Sequence, residues 1–166
     1  MLRELGPLMT AIILAGRTGA AFAAELGTMK VNDEINALST MGLDPVRFLV
    51  VPRVLAALVA TPLLTIFADM IGLLGGALTM LAFSIPTATY FNQLSGWVGA
   101  GDFMSGWVKS FVFGILIAGI GCLRGLQAEN DASAVGTATT RAVVSSIIMI
   151  VVVDGLFAFF YYLLDV

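Results

Sequence analysis

Three charged side chains inside long apolar stretches are the residues best placed to do chemistry. They are Arg17, Asp69 and Asp154. A charge at membrane depth is costly, so it usually pairs with an opposite charge or faces a cavity. In one interpretation Arg17 pairs with Asp154 or Asp69 and only packs helices together, or snorkels to the interface. In the other, the Arg17 guanidinium binds a lipid phosphate. We expect Arg17 to face the protein interior or a lipid-accessible cavity, and not bulk lipid.

A polar stretch over residues 25–47 contains a short predicted helix. Asn32 is a suitable N-cap, which places Asp33 and Glu34 in the first turn, where the helix dipole favours acids. Gly42 suits the C-terminal end. An apolar stripe at helical spacing consists of Ile35, Leu38 and Met41. The helix either rests on lipid or docks as a lever into a cytoplasmic partner. Its acidic residues favour the partner, because anionic lipid would repel them.

The sequence lacks the residues that most enzyme and metal sites need. It contains no histidine, the usual general base and metal ligand, and its single Cys122 cannot form an internal disulfide. It has no G-x-x-x-x-G-K-[ST] loop for nucleotide phosphates. It has no basic run, which argues against nucleic acid as a partner. We predict a non-enzymatic chain without cofactor or metal, whose energy comes from a partner or an ion gradient.

The composition places these residues in a membrane. Of 166 residues, 59% are hydrophobic and 11% charged, with a mean hydropathy of +1.00, whereas soluble domains carry about 25% charged residues. We predict an all-α polytopic membrane protein, a single domain over residues 1–166. Because Asp69 is the only charge in the interior of the second apolar run, we predict one long helix there and not two short spans. The predicted spans are Leu5–Ala24, Phe48–Ile85, Val108–Leu123 and Ala142–Leu164.

The distribution of lysine and arginine predicts how the spans are oriented. Basic residues collect between Glu25 and Arg47 and around the loop from Arg124 to Arg141. The aromatic segment from Pro86 to Gly106 holds only Asp102, with Lys109 just beyond its end. Since Lys and Arg accumulate on the cytoplasmic side, the first and third connections are predicted to be cytoplasmic and the aromatic segment external. We predict that this segment forms a short helix at the membrane surface.

Small residues recur at four-residue spacing within the predicted spans, which lets membrane helices approach closely. The pairs are Gly72 with Gly76, Gly114 with Ala118, and Gly121 with Gly125. Tight packing within one chain is the simpler interpretation, and a dimer face is the alternative.

Short motifs follow one another along nearly the whole chain. They read LRELGP at 2–7, AGRTGA at 15–20, AELGTM at 24–29, GLDP at 42–45, PR at 52–53, KS at 109–110 and ATTRAVV at 138–144. In content and order these motifs resemble the MlaE/YrbE family of ABC transporter permeases. The resemblance is specific because well-separated motifs agree.

The resemblance implies a homodimeric permease that moves phospholipids between membranes and lies in the bacterial inner membrane. It implies an ABC ATPase partner on the cytoplasmic side and an MCE-domain lipid-binding protein outside, and it leaves room for a STAS-domain regulator. The short helix resembles a coupling helix. The coupling segment then contains Glu25, Lys30, Asp33, Glu34, Ile35, Leu38 and Met41, and the intramembrane charges assigned to the lipid path are Arg17, Asp69 and Asp154.

The sequence departs from that family at its start. Such permeases normally begin with an interfacial helix and a further span before the LRELGP motif, so we expect the chain to be N-terminally truncated. Two other functions stay open. An ion-coupled secondary transporter is suggested by the intramembrane charges, although carriers of that class usually show internal repeats and none is visible here. The third possibility is a membrane scaffold that transports nothing.

Overall fold

The computed structural model of the chain is a bundle of helices. It describes residues 2–83, 86–97, 99–129 and 131–164, and this part of the chain contains no strand. Two π-helical turns, Ala15–Gly19 and Val46–Val50, join α1 to α2 and lead into α4. The helices are α1 (Leu5–Leu14), α2 (Ala20–Val31), α3 (Glu34–Thr40), α4 (Val51–Ala82), α5 (Thr87–Trp97), α6 (Ala100–Leu126) and α7 (Ala132–Leu164).

Four helical segments are long and apolar enough to cross a membrane, which confirms the predicted all-α polytopic membrane fold. They are span 1 (Leu5–Val31), span 2 (Val46–Ala82), span 3 (Gly101–Leu126) and span 4 (Ala132–Leu163). Their outer faces carry large apolar side chains, as contact with lipid tails requires; on α4 these include Phe67, Ile71 and Leu78. Three of the spans are longer than the apolar runs from which they were predicted, because helices continue into their polar ends.

Span 2 confirms the prediction of one long helix, although its predicted end, Ile85, lies outside the described residues. Pro52 occupies the first turn of α4, where a missing N–H costs nothing. Pro62 lies inside the helix. The hydroxyl of Thr65 donates to the Thr61 carbonyl over 2.9 Å just beyond it.

Helix α6 is the centre of the bundle, and small residues bring its neighbours close. A β-carbon at Gly121 would lie 2.7 Å from the Gly19 carbonyl oxygen, and one at Gly125 would lie 2.9 Å from that of Ala23. On its other side, a β-carbon at Gly114 would lie 2.8 Å from the Ala57 carbonyl oxygen. Only glycine permits this approach of backbones. These three α6 glycines therefore serve packing within the chain, as the simpler interpretation predicted.

The bundle has two ends, which we name after their short helices. At the α3 end, the Lys30 ammonium donates to the Leu126 carbonyl. This contact places the first and third connections at the same end of the bundle, which agrees with their predicted location on one side of the membrane. At the α5 end, the Tyr90 hydroxyl donates to the Leu73 carbonyl of α4 over 3.0 Å. The predicted aromatic segment is divided there: α5 covers its first part, and its last part belongs to α6.

Candidate functional site

A buried lysine forms the electrostatic centre of the α5 end. The Lys109 side chain on α6 is fully buried, and its ammonium lies 2.8 Å from a Glu4 carboxylate oxygen and 2.9 Å from one of Asp154. Glu4 stands at the start of α1 and Asp154 on α7, so three separate helices meet at one cation. A buried charge is tolerated in a membrane protein when it is paired in this way. We call Lys109, Glu4 and Asp154 the ion triad.

Aromatic and polar groups enclose the ion triad. The Lys109 ammonium lies 5.9 Å from the ring centre of Phe157 and 6.0 Å from that of Tyr161, within the range of cation–π attraction. The Tyr161 ring also stacks under the Arg3 guanidinium at 4.6 Å. Arg3 in turn lies 3.8 Å from an Asp102 carboxylate oxygen. The start of α1 is thereby held to α6 and α7.

The prediction that Arg17 pairs with Asp154 is wrong, because Asp154 binds Lys109. The apolar run in the sequence begins at Val108, which predicts that Lys109 flanks the external segment. In the structure α6 begins at Ala100, which places Lys109 about two and a half turns inside the helix. One signal in the sequence could have revealed this pairing. A lysine inside a span requires a carboxylate on a neighbouring helix, and Asp154 is such a carboxylate.

Asp69 does not pair with Arg17 either. Its side chain is buried on α4 against Gly6 at the start of α1, where any larger residue would collide with the carboxylate. Within the described part of the chain, its Oδ1 atom has no hydrogen-bond partner. Asp69 therefore lies at the contact of α1 with α4, and it forms no ion pair with the triad among the described residues.

Arg17 occupies the π-helical turn between α1 and α2, and it is exposed on the surface of the bundle. Among the described residues it has no ion-pair partner. The prediction that Arg17 faces the interior of its own chain is therefore wrong. The alternative prediction, a lipid-accessible cavity, would need a wall that this chain does not provide. π-Turns inside α-helices occur frequently at functional sites. This one lies near the middle of span 1.

The short helix α3 is present, but its start was predicted at the wrong residue. Asn32 ends α2, and Asp33 begins α3 with a φ of 59° and accepts a hydrogen bond from the Asn36 amide at 2.8 Å. Asp and Asn tolerate this left-handed conformation better than most residues. The C-terminal prediction is confirmed: Gly42 has a φ of 78°, and its N–H donates to the Ser39 carbonyl. This is a Schellman closure.

The apolar stripe of α3 faces two ways. Ile35 and Leu38 pack inward on a cluster of buried apolar residues that includes Leu26 and Cys122. They hold α3 against the bundle, and do not present a free stripe to a partner as predicted. Met41 is 67% exposed, and Asp33 and Glu34 are exposed as well. The outer face of α3 is therefore acidic with one apolar residue.

Two predicted coupling residues make contacts within the chain. Glu25 accepts a hydrogen bond from the Arg53 guanidinium at 2.9 Å, which joins α2 to α4. Lys30 donates to the backbone carbonyl of Leu126 at 2.8 Å. The sequence does not reveal these contacts, because the partners lie 28 and 96 residues away. Both contacts attach α2, from which α3 follows, to neighbouring helices.

The α3 end also holds a polar cavity of about 300 Å³ between the end of α6 and the start of α7. Arg124, Arg141 and Glu129 line it together with Asp131. A hydrogen bond from the Ser133 hydroxyl, aided by backbone N–H groups, lowers the pKa of the Asp131 carboxyl below its ordinary value. In the described parts of the chain, no group of three His, Cys, Asp or Glu could hold a metal ion.

Comparison with known proteins identifies the family. The Permease MlaE family profile matches residues 1–160. The chain is 42% identical over 151 residues to a probable ABC transporter permease protein of Rickettsia typhi, covering 90% of this chain and 58% of that protein. It is 38% identical over 165 residues to the chloroplastic protein TRIGALACTOSYLDIACYLGLYCEROL 1 of Arabidopsis thaliana, covering 96% and 46%.

A relative whose name states a substrate is the intermembrane phospholipid transport system permease protein MlaE of Haemophilus influenzae. It is 31% identical over 156 residues, which cover 93% of this chain and 60% of the relative. The chain thus spans somewhat more than half the length of the bacterial relatives it matches. Four apolar spans and a profile match over almost every residue lead to one conclusion: this multi-pass membrane protein belongs to the MlaE permease family.

Proposed function

We propose that the chain is the membrane-spanning part of a permease subunit that moves phospholipids between membranes, driven by ATP hydrolysis in a separate subunit. The observation that carries this proposal is the family match over residues 1–160. The described residues form one bundle, in agreement with a single permease domain. The sequence given has no nucleotide-binding loop of the P-loop type, which supports the proposal that the ATPase is a separate subunit.

The lipid path is proposed to run past Arg17. An arginine near the middle of a span and exposed on its own bundle costs about 2.5–3.5 kcal/mol on insertion scales. This cost is removed if a second copy of the chain encloses Arg17 in a shared cavity that admits lipid. A planar guanidinium suits a phosphate because it can donate two hydrogen bonds at once. A homodimer with a headgroup-binding cavity at its interface therefore accounts for the exposure of Arg17.

Helix α3 is the proposed docking element for the ATPase. Its outer face offers Asp33, Glu34 and Met41, so charge complementarity would orient the partner around one apolar contact. The test is a double variant, Asp33→Asn with Glu34→Lys. Asparagine is chosen at residue 33 because it tolerates the left-handed backbone conformation there better than lysine does. We expect loss of ATPase co-purification. Glu129→Lys, an exposed acid at the same end of the bundle, is the control and should retain the ATPase.

Retention of the ATPase by the double variant at the level of the control would contradict docking through α3. The lipid-resting interpretation of the helix would then be preferred. Co-purification of the unmodified protein with a P-loop ATPase separates the permease from both other functions, because neither a secondary transporter nor a scaffold needs one.

The ion-coupled alternative draws on one specific observation, the ion triad, since buried carboxylates and amines in membrane spans mark ion pathways in other transporters. Both carboxylates of the triad already lie at hydrogen-bond distance from Lys109. A coupling-ion site in the triad would need one of them to be free to bind the ion. The arrangement therefore favours a structural role for the triad.

The remaining parts of the proposal concern location. The α3 end is proposed to face the cytoplasm of a bacterial inner membrane, toward the ATPase and a STAS-domain regulator. The α5 end is proposed to face an MCE-domain lipid-binding protein outside. In a Cys122→Ala background, cysteines at Asn36 and Gln93, both exposed, should react with an impermeant label from opposite sides of the membrane. Reaction from the same side would contradict this orientation.

A further inference from the structure

Lys30 lies in the last turn of α2, at the base of α3, yet it does not point away from the bundle. Its ammonium donates to the carbonyl oxygen of Leu126, the last residue of α6, at 2.8 Å. The last four carbonyls of a helix have no partner within the helix, and a cation near them also interacts favourably with the helix dipole. Lys30 therefore caps α6 from a neighbouring helix.

Close backbone packing of span 1 on α6 adjoins this bond. Gly121 and Gly125 allow the α6 backbone to approach Gly19, the last residue of the π-helical turn, and Ala23 on α2. Neither of these α6 glycines could carry a β-carbon without movement of the neighbouring helix. Packed helices of this kind shift as units and do not bend continuously. The end of α6 and the base of α3 are thus linked by one charged hydrogen bond and by a seam of backbone contacts.

Helix α6 connects this contact to the opposite end of the bundle. Lys109 and Leu126 are 17 residues apart on the same helix, which is about 25 Å at 1.5 Å per residue. A displacement of α3 that reaches Leu126 is therefore delivered along α6 to the ion triad, where α1 and α7 are attached. Span 1 links the same two places covalently, because Glu4 precedes its first residue and Lys30 lies in its last turn. The Lys30 bond couples span 1 to α6 at the α3 end.

We propose that Lys30 is a positioning residue for coupling: it fastens the base of α3 to α6, so that movement of the ATPase is passed into the spans. This inference rests on the proposed function. It assigns Lys30 a target within its own chain, whereas the sequence placed it among residues facing the ATPase. Loss of the Lys30 contact should leave the ATPase bound and hydrolysing ATP while lipid movement fails.

The first test compares Lys30→Met, which keeps the apolar stem, with Lys30→Arg, which keeps a charged donor. Both are made in the full-length permease, reconstituted with its ATPase in phospholipid vesicles. In Lys30→Met we expect wild-type ATPase capture and a fall of about tenfold in lipid transferred per ATP hydrolysed, the scale of one charged hydrogen bond. Lys30→Arg should recover most of the transfer.

The matched control is Arg47→Met, which removes a cation from the same connection. The Arg47 side chain is 87% exposed and lies 3.8 Å from Asp44 as its ion-pair partner. Transfer by this variant should equal wild type. The proposal is overturned if Lys30→Met transfers lipid normally, if Arg47→Met is equally impaired, or if Lys30→Met loses the ATPase as the α3 charge variant does, since Lys30 would then face the partner.

A second measurement needs neither lipid transfer nor an ATPase. Spin labels at Ala37→Cys on α3 and Gln127→Cys at the end of α6, both exposed positions, report the distance between the two elements in a Cys122→Ala background. Wild-type Lys30 and Lys30→Arg should give one narrow distance distribution, and Lys30→Met a broadened or shifted one. An unchanged distribution in Lys30→Met contradicts the positioning role. If instead the labels behave as expected while even the wild-type complex moves no lipid, the proposed function fails and the α3–α6 link stands.

Discussion

Two cations in the membrane-spanning helices, Lys109 and Arg17, illustrate opposite solutions to the same energetic problem. Lys109 is fully buried and lies within hydrogen-bond distance of two carboxylates from other helices. Arg17 is exposed on a π-helical turn and has no ion-pair partner among the described residues. One cation is paired within its own chain, whereas the other is proposed to be enclosed by a second copy of the chain.

The difference separates residues that hold the bundle together from residues that act outside it. Removing one member of a buried charge cluster leaves an uncompensated charge, so the ion triad should control stability. An exposed cation contributes little to the stability of its own bundle, so Arg17 should control assembly or lipid movement. Unfolding and transport measurements on single variants should therefore distinguish the two kinds of residue, and the largest loss of stability is expected at Lys109.

Lys109→Met should cause the largest loss of stability. It leaves Glu4 and Asp154 facing each other without a cation, and breaking a buried pair in this way costs about 3–5 kcal/mol. Thermal unfolding of the detergent-solubilised full-length protein measures the effect. Adding Glu4→Gln and Asp154→Asn to the same variant should restore much of the stability, because the charges are then removed together. If the Lys109→Met protein were as stable as wild type, the claim that the ion triad stabilises the bundle would be contradicted.

The two carboxylates of the triad should not be equivalent. The Asp154 side chain is 17% exposed and that of Glu4 is 40% exposed. Asp154→Asn should therefore cost more, about 1.5–3 kcal/mol for a lost charged hydrogen bond, and Glu4→Gln less because water can replace part of its contact. Paired unfolding measurements on the single variants decide the order. Equal losses, or a larger loss in Glu4→Gln, would contradict the burial argument.

Arg17→Leu should have the smallest effect on the stability of the isolated subunit, within about 0.5 kcal/mol as for surface positions without special contacts. Its effect should appear instead in dimer formation or in lipid transfer by the assembled complex. Arg17→Lys retains the charge but not the planar fork, so it should recover transfer only in part if a phosphate is bound there. Normal assembly and transfer in Arg17→Leu would remove Arg17 from the lipid path.

The sequence predicts the fold of this protein well for physical reasons. Apolar runs of membrane-spanning length have few alternatives to helices, because lipid cannot satisfy an exposed backbone. The short helix α3 was also predictable, since Gly42 and the acidic first turn are local signals. The single long α4 is predictable because Asp69 is the only charged residue in the interior of that apolar run.

The partners of the charged residues were not predictable in the same way. Lys109 binds carboxylates 105 and 45 residues away, and Lys30 binds a carbonyl 96 residues away. These contacts depend on the order and tilt of the helices in the bundle, which hydropathy does not encode. Assigning Asp154 to Arg17 failed because both lie in apolar runs, while the actual partner, Lys109, lies at the edge of one.

The central claim is that a separate ATPase drives this subunit to move phospholipid. The most direct measurement reconstitutes the full-length permease with its ATPase in vesicles and follows a fluorescent phospholipid with ATP, with a non-hydrolysable ATP analogue, and with an imposed proton or sodium gradient but no nucleotide. We expect lipid transfer with ATP and no transfer with the analogue or with the ion gradient. Transfer driven by the ion gradient without ATP, or ATP hydrolysis that never moves lipid, would contradict it.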